Sequence, residues 1–412
     1  LLGSEFVHIL FLTDNFPPEV NAPASRTFEH CREWVNAGHS VTVITGAPNF
    51  PRGKVFEGYH NRIWQQEFVA GIRIIRVWTY ISANEGFAKR TMDYLSFMVT
   101  GFLASLFVRR VDVVVGTSPQ FFTVCAAYAT SLLKSVPWVF ELRDIWPESI
   151  RVVGAMKQNK ILDLLEKVEL FLYRKASKIV SVTNAFRDSL IHRGVNGENI
   201  HVVTNGVDIS RFSPRSKDLT LLQKHQLEGR FVAGYIGTHG LAHALETILD
   251  CAKVLKDSPD GERYRFILLG DGANKAALRH RAEVEGLNNV IFVDSVSKDL
   301  VVRYWSLLDA SIIHLKRDEL FKTVIPSKLF ECMGMGIPVL HGVQGESADI
   351  VVSEDVGILF EPENSGDLIQ GLHRMANDQI MINRYKNNGP KAAKNYDRAI
   401  LAKKMLEIIE EL

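Results

Sequence analysis

Phe231-Val232-Ala233-Gly234-Tyr235-Ile236-Gly237-Thr238-His239-Gly240 is an apolar run of strand length that breaks into a glycine loop. A continuous apolar run fits a strand buried on both faces, as in a parallel sheet. A helical pattern at 244–256 follows it. The same order opens the chain: the apolar run Val7-His8-Ile9-Leu10-Phe11-Leu12, a stiff proline-rich loop at 13–23, a helix at about 25–37, then an apolar strand at 41–45. Strand, loop, helix and strand make one βαβ unit, and ligands in such units bind beyond the carboxyl end of the strands. A second start in mid-chain therefore predicts an α/β protein with two Rossmann-like domains facing a cleft.

The segments between agree with that reading. A more exposed, alternating strand at 72–77 and apolar strands at 112–116, 137–142, 178–182 and 201–203 alternate with helical stretches in the first half. Strands at 265–269, 290–293, 310–315 and 357–360 do so in the second. The turn Thr204-Asn205-Gly206-Val207-Asp208 divides them, giving domains at 7–205 and 206–394, with a terminal helix at about 395–412 expected to pack back on the first.

At 412 residues no disulfide or metal staple is needed to build a core. With 46% apolar residues, 23% charged and a net charge of +1, nothing points to a nucleic-acid partner. The charge is uneven: residues 1–200 hold 22 Lys and Arg against 18 Asp and Glu, and the remainder 26 against 29. Cys31, Cys125, Cys251 and Cys332 are scattered, with no Cys-x-x-Cys pair, which fits a reducing compartment. The opening Leu-Leu-Gly-Ser-Glu-Phe has no secretory pattern and is expected to be a cloning remnant. The apolar run at 94–108, flanked by Lys89-Arg90 and Arg109-Arg110, is shorter than the roughly 20 residues of a membrane span. It reads either as a core helix or as a helix near a membrane surface, its basic flanks facing lipid phosphates.

Candidate site residues cluster at strand ends. In 325–340 a short helix, a glycine stop and an apolar strand follow one another. Pro326 suits the first helical position, and Gly334 and Gly336 suit the exit. Ser327 and Lys328 then stand at a helix N-terminus, where free amides and the dipole favour an anion. Glu331 lies one turn on, placed to meet ribose hydroxyls. Each also reads as plain helix surface. His239 and His243, near the Gly237–Gly240 loop, are candidate phosphate donors or incidental loop residues. Arg143 and Asp144 follow the 137–142 strand. Asp144 suits orienting or deprotonating an acceptor hydroxyl, or else a salt bridge with Arg143. Asn21 and Arg26 follow the first strand and are candidates to face the acceptor or a diphosphate. Asp271 reads as a structural turn residue. No metal constellation is visible.

Taken together, these strings resemble retaining glycosyltransferases of family 4 with the GT-B fold. The resemblance runs over essentially the whole chain. It is carried by Asn205-Gly206-Val207-Asp208 with Phe212 and Pro214, by Gly270-Asp271-Gly272, and by Glu331 followed by Gly336-Ile337-Pro338-Val339. More narrowly, Phe16-Pro17-Pro18-Glu19, Asn21-Ala22-Pro23, Arg143-Asp144 with Trp146-Pro147-Glu148, and Pro326-Ser327-Lys328 are similar to the N-acetyl-L-fucosaminyl transferases of O-antigen and capsule assembly. The resemblance implies a UDP-sugar donor held by the second domain through Glu331, Ser327, Lys328, the Gly237–Gly240 loop and the backbone near Val296. It implies a polyprenyl-diphosphate-linked saccharide acceptor on the first domain, no metal or other cofactor, and a cytoplasmic enzyme, peripheral at the inner face of the membrane. Another donor such as UDP-GlcNAc, or a nucleotide-sugar epimerase on the same fold, are the alternatives.

The chain departs from the family pattern in places. The family has a second glutamate eight residues before Glu331, where this chain has Thr323. Thr238 and His243 stand where an Arg and a Lys are usual. Arg143 stands where a His is usual, and Asn21-Ala22 replaces a Gly-Gly pair.

Overall fold

The computed structural model describes residues 6–50, 53–81, 87–145 and 160–412. Trp146, Pro147 and Glu148 of the motif quoted above lie outside them. The chain forms two compact units: residues 1–204 with 398–412, and residues 205–397. Each is an α/β unit around one sheet, as the repeated strand-loop-helix pattern predicts.

In unit 1 the described strands form an eight-stranded sheet in the order β3-β4-β2-β1-β5-β6-β7-β8. These are β1 His8–Leu12, β2 Ser40–Gly46, β3 Trp64–Val69, β4 Ile72–Val77, β5 Val113–Thr117, β6 Trp138–Leu142, β7 Lys178–Ser181 and β8 Ile200–Val202. All neighbours pair in parallel except β3, which runs antiparallel to β4 at the edge. Strand order reverses between β1 and β5, so their carboxyl ends flank the switch point where open α/β sheets bind ligands. Edge strand β3 is absent from the sequence reading. Its Trp-Gln-Gln-Glu-Phe-Val string is largely exposed and carries no continuous apolar run.

Helix α1, Ala22–Asn36, starts at Asn21, whose side chain accepts from the Ala24 amide. The next helices are α2 Phe87–Leu106, α3 Phe121–Lys134, α4 Lys160–Lys175 and α5 Asn184–His192. Thr183 caps α5, accepting from Phe186 N at 3.0 Å. Helix α2 is amphipathic in place. Phe97 and Ala104 are buried, while Val99 and Leu103 are about half exposed at 51% and 49%.

Unit 2 holds a six-stranded parallel sheet in the order β11-β10-β9-β12-β13-β14. Its strands are β9 Phe231–Ile236, β10 Tyr264–Leu269, β11 Val290–Val293, β12 Ala310–His314, β13 Val339–Gly342 and β14 Gly357–Leu359. Helices α6 Leu219–Lys224, α7 Glu246–Lys256, α8 Lys275–Val284, α9 Lys298–Trp305, α10 Lys328–Met335 and α11 Glu346–Ser353 alternate with them. One core face gathers Trp305, Leu329, Phe330 and Val339, and the other Tyr235, Ile248, Phe266 and Leu372.

The tail is three helices: α12 Ser365–Asn377, α13 Gln379–Ala393 and α14 Arg398–Glu410. Asp378 caps α13 through Met381 N, which stops α12 from running on. Helix α14 belongs to unit 1. Leu401, Met405 and Leu406 join the core of β1 and β2, and Trp34 Nε1 donates to Ala402 O at 2.8 Å.

Candidate active site

Helix α10 begins at Lys328, two residues later than Pro326 suggests. Ser327 is its N-cap residue in helical geometry and makes no side-chain cap bond. Pro326 therefore precedes the helix, its carbonyl accepting from Leu329 N at 3.0 Å. Gly334 lies inside the helix, and Gly336 alone makes the exit, at φ 65°. That left-handed conformation is what glycine supplies at little cost. Asn205, in the turn that opens unit 2, donates to Ile325 O at 3.4 Å and pins the approach to this helix.

Lys328 does not project into solvent. Its Nζ lies 3.8 Å from the centroid of the Tyr235 ring, at the end of β9. The Tyr235 hydroxyl in turn donates to Thr238 O at 2.8 Å, fixing the loop after the strand. Gly237 makes room for the ammonium: a Cβ there would sit 2.9 Å from Lys328 Nζ, and its φ is +151°. Burial pushes the Lys328 amine down to about 7, with Glu331 pulling the other way. A half-desolvated ammonium stacked on an aromatic face is a cation held ready for an anion.

Two imidazoles complete this edge. His239 is fully buried, and neither of its ring nitrogens has a partner among the described residues. Its backbone is fixed on both sides, N–H to Asp271 O and C=O from Asn274 N, each at 2.9 Å. His243 has an unpartnered Nδ1 among the same residues. Burial pushes His239 down to about 4 and His243 to about 3, and the Lys328 charge lowers both further. Both are neutral at pH 7, each with one N–H to donate. Glu331 sits on the first turn of α10, partly buried. Gly240 and Val296 line the adjoining loops after β9 and β11. Thr323 ends a short 3-10 turn, and its hydroxyl donates to Leu320 O at 2.6 Å. Asp271 accepts from Gly272 N at 2.9 Å. The structure thus gathers Lys328, His239 and Gly237 at one end of the unit 2 sheet.

In unit 1, Arg143 and Asp144 follow β6. Ser118, at the end of β5, holds both: its Oγ accepts from Arg143 N at 2.8 Å and from Asp144 N at 3.3 Å. Among the described residues, the Nε and Nη1 of Arg143 have no hydrogen-bond partner. Burial pushes this guanidinium down to about 10, against the pull of Glu141.

The two residues after β1 serve other ends than the acceptor contact expected of them. Arg26 is 2% exposed. Its Nε pairs with Glu141 Oε1 at 2.8 Å, its Nη1 donates to Thr204 O at 2.6 Å, and its Nη2 to Val203 O at 2.9 Å. Three of its five N–H groups are thus engaged within unit 1, and the side chain is buried there. Asn21 caps α1 with its Oδ1 and donates its Nδ2 to Asn15 Oδ1 at 2.7 Å. Among the described residues, no three His, Cys, Asp or Glu side chains converge as a metal-binding group.

Comparison with known proteins bears on this geometry. Residues 21–206 match the model of the Glycosyl transferase 4-like domain, and residues 219–392 match that of Glycosyl transferases group 1. The chain is a family 4-like glycosyltransferase of the GT-B fold. It is 24% identical over 379 residues to the putative colanic acid biosynthesis glycosyl transferase WcaI of Escherichia coli K12, covering 89% of this chain and 91% of that one. Among solved structures it resembles Anabaena Alr3699/HepE in complex with UDP-glucose, at TM-score 0.73 and 16% identity, over 98% of this chain and all of the other. It also resembles WaaG, a glycosyltransferase involved in lipopolysaccharide biosynthesis, at TM-score 0.69 and 16% identity, over 97% and 99% of the two chains.

The transferase also carries charged groups that sequence reasoning passed over. His314 closes β12, and its Nε2 accepts from Glu363 N at 2.8 Å. Asp14 stands two residues beyond β1, and Asp93 stands on α2. Burial pushes the Asp14 carboxyl up to about 6. Burial and the neighbouring Asp14 charge push Asp93 up to about 7. A carboxylate two residues beyond the first strand was the available signal for Asp14. Nothing in the string 87–106 singles out Asp93.

Proposed function

We propose that the transferase moves N-acetyl-L-fucosamine from a UDP donor to a polyprenyl-diphosphate-linked saccharide, with retention at the anomeric carbon, in building a bacterial surface polysaccharide. The observation that carries the donor half is Lys328 stacked on Tyr235 beside the buried, unpartnered His239. A diphosphate supplies the anionic oxygens that these donors lack. Lys328, His243 and the amides of the Gly237–Gly240 loop neutralise the leaving UDP, the work a divalent ion does elsewhere. Glu331, one turn along α10, takes the ribose hydroxyls. Ser327 and the backbone at Val296 complete the donor contacts. WcaI and WaaG, glycosyltransferases of colanic acid and lipopolysaccharide biosynthesis by name, and the UDP-glucose of the HepE complex support the same class of reaction and donor.

In unit 1, Asp144 orients the acceptor hydroxyl and the unpartnered N–H groups of Arg143 meet an anionic oxygen of acceptor or donor. The lipid portion of the acceptor lies in a membrane that unit 1 meets through α2 and α3. Val99, Leu103, Phe107, Leu132 and Leu133 are exposed there, Phe107 at 72%. The two helices are tied at that end by Lys134 Nζ donating to Val108 O at 2.7 Å, with Arg109 and Arg110 in the turn after α2. No described helix is long and apolar enough to cross a membrane. An exposed apolar face beside basic residues suits a bilayer surface instead.

The test is purified protein with a panel of UDP-sugars and undecaprenyl-diphosphate GlcNAc. Turnover of UDP-N-acetyl-L-fucosamine above all others is the expected result. Protein that neither binds UDP nor consumes any UDP-sugar overturns the reading.

A further inference from the structure

We propose that a crevice at the amino ends of β12 and β13 binds an organic phosphate, an aromatic or apolar body that ends in a phosphate group. The inference stands apart from the donor and acceptor readings. Leu308 precedes β12, Gly336 and Ile337 precede β13, and all three line the crevice. The Gly237–Gly240 loop follows the carboxyl end of β9, which runs parallel to β12. The crevice and that loop therefore lie at opposite edges of the unit 2 sheet. Helix α10, about 12 Å long at roughly 1.5 Å per residue, has Lys328 at its start and the crevice at its end. The space measures about 430 Å³, within the range of small-ligand sites.

The walls are held from outside the crevice. On one side, Asp218 N donates to Ser306 Oγ at 3.1 Å, and Asp218 Oδ2 accepts from Arg303 Nε at 2.6 Å. These bonds anchor the segment that carries Pro214, Arg215 and Lys217. On the other side stands α13, with Lys386 and Pro390. Gly336 lies between the two walls: a Cβ there would meet Lys386 O at 3.0 Å, Pro390 Cγ at 3.4 Å and Pro214 Cγ at 3.7 Å. Leu308, Met335 and Ile337 are buried and make an apolar floor. Two proline side chains over a floor that holds a thioether suit an aromatic ring.

Charge selects the other end of the ligand. Arg215, Lys217 and Lys386 line the crevice, and among the described residues no Asp or Glu does. Lys217 is committed to Asp309, Nζ to Oδ1 at 2.7 Å, and Asp309 Oδ2 accepts from Val232 N at 2.9 Å. Arg215 gives one N–H of Nη2 to Arg211 O at 2.8 Å and keeps the rest of its fork. Lys386 is half-buried, and its ammonium has no partner among the described residues. Two cations on one rim, neither paired with a carboxylate among those residues, match a phosphate dianion. The end of α10 does not oppose it, because the carbonyls of Met333 and Cys332 already accept from Gly336 N at 3.1 Å and Ile337 N at 2.9 Å. Inorganic phosphate would leave the apolar floor uncovered, so the ligand carries an apolar body as well.

The probe is phenyl phosphate, titrated by calorimetry into the full chain with and without UDP. One site is expected, with a Kd of about 1 mM or below. Its affinity should be the same in both titrations, since the crevice and the Gly237 loop are at opposite edges of the sheet. Inorganic phosphate and phenol, each lacking one half of the probe, should bind at least about tenfold more weakly. Arg215→Met with Lys386→Met should weaken phenyl phosphate at least about tenfold and leave the melting temperature within about 2 °C, because neither side chain is in the core. A second readout is the methyl resonance of Met335, which should shift on adding the probe while that of Met375, in the opposite core face, stays in place. No heat and no Met335 shift at about 10 mM phenyl phosphate overturns the site. So does an affinity that the double variant leaves unchanged, or a probe that UDP displaces. Inorganic phosphate binding as tightly as phenyl phosphate overturns the organic ligand class and leaves a plain cationic rim.

Discussion

Lys328 Nζ lies 3.8 Å above the centre of the Tyr235 ring, and Gly237 leaves the gap in which it rests. The lysine is on the helix that follows β12 in unit 2, and the tyrosine near the end of β9, the neighbouring strand. This stack sets the ammonium beside the glycine loop instead of in water. Its cost and its use should separate on mutation. Folding depresses the amine to about 7, so below that pH the native state holds a desolvated charge that the unfolded chain solvates freely. Stability contributed by this group is therefore lowest below pH 7 and rises with pH from about 7 toward the ordinary lysine value of about 10.4. Lys328→Met should raise the melting temperature at pH 6, with a smaller gain at pH 8.5, while weakening UDP binding at least about tenfold. A variant that loses stability and keeps its UDP affinity would show Lys328 to be a plain core residue.

The same depressed amine predicts how UDP binding follows pH. A diphosphate favours the protonated lysine, so binding draws a proton once the free amine titrates. Between pH 7 and 8.5 the Kd for UDP should rise by up to about tenfold per pH unit. Isothermal titration in buffers of different ionisation enthalpy should show proton uptake over that range. His239 and His243, held near 4 and 3, stay neutral throughout and leave this limb unchanged. Lys328→Arg keeps its charge at every pH, so whatever affinity it retains should not vary.

Arg26 and Glu141 form a pair of another kind, 2% and 1% exposed and 115 residues apart in sequence. Arg26 also holds the carbonyls of Val203 and Thr204, where the chain leaves unit 1. Burial alone would raise the Glu141 carboxyl, yet Arg26 and Arg143 hold it below its ordinary value. Arg26→Met should cost about 3–5 kcal/mol, the usual penalty for stranding one partner of a buried pair. Arg26→Met with Glu141→Met should recover the part due to the stranded charge but not the part due to two abandoned carbonyls. Urea unfolding of unit 1 measures both. Full recovery in the double variant would show that the carbonyl contacts add nothing.

Arg26 also marks the limit of what the chain reveals before it folds. The two sheets were legible because a strand buried on both faces must be a continuous apolar run, and β1, β2, β9 and β10 are such runs. Strand β3 was not, because its Gln65, Gln66 and Glu67 share one edge with Trp64 and Phe68. The candidacy of 327–331 as an anion site could be read from residue types on a short helix. That Lys328 folds over Tyr235 could not, since the contact spans 93 positions and depends on the room left by Gly237. Arg26 after a first strand reads as a ligand-facing cation, and only the fold brings Glu141 to it. His239 looks like a loop histidine until the Asp271 loop closes over its backbone.

The exposed face of α2 and α3 makes a prediction about lipid. Phe107→Asp with Leu133→Asp places two carboxylates on that face without entering the core, since the two side chains are 72% and 64% exposed. The melting temperature should stay within about 2 °C, as exposed substitutions shift stability by no more than about 0.5 kcal/mol. Cosedimentation with vesicles of three parts phosphatidylethanolamine to one part phosphatidylglycerol should fall at least about fivefold. Arg109→Ala with Arg110→Ala should lose binding mainly at low salt, because that part is screened within a Debye length. Wild-type protein that stays in the supernatant at every salt concentration would rule out the membrane contact.

Thr323 tests what the site asks of its sugar. It stands eight residues before Glu331, and its hydroxyl is turned back to Leu320 O rather than held by a charge. A carboxylate at this position accepts two or more hydroxyl hydrogen bonds, which a fully hydroxylated hexose offers and a 6-deoxy amino sugar offers less well. Thr323→Glu should therefore move the ratio of kcat/KM from UDP-N-acetyl-L-fucosamine toward UDP-GlcNAc by about tenfold, roughly 1.4 kcal/mol of differential stabilisation. Thr323→Val deletes the hydroxyl and keeps the shape. It should cost stability through the lost Leu320 contact and leave the donor ratio where it was. If Thr323→Glu and Thr323→Val give the same donor ratio as the wild type, position 323 does not read the sugar, and donor choice lies with other residues of the Gly237 and Val296 loops.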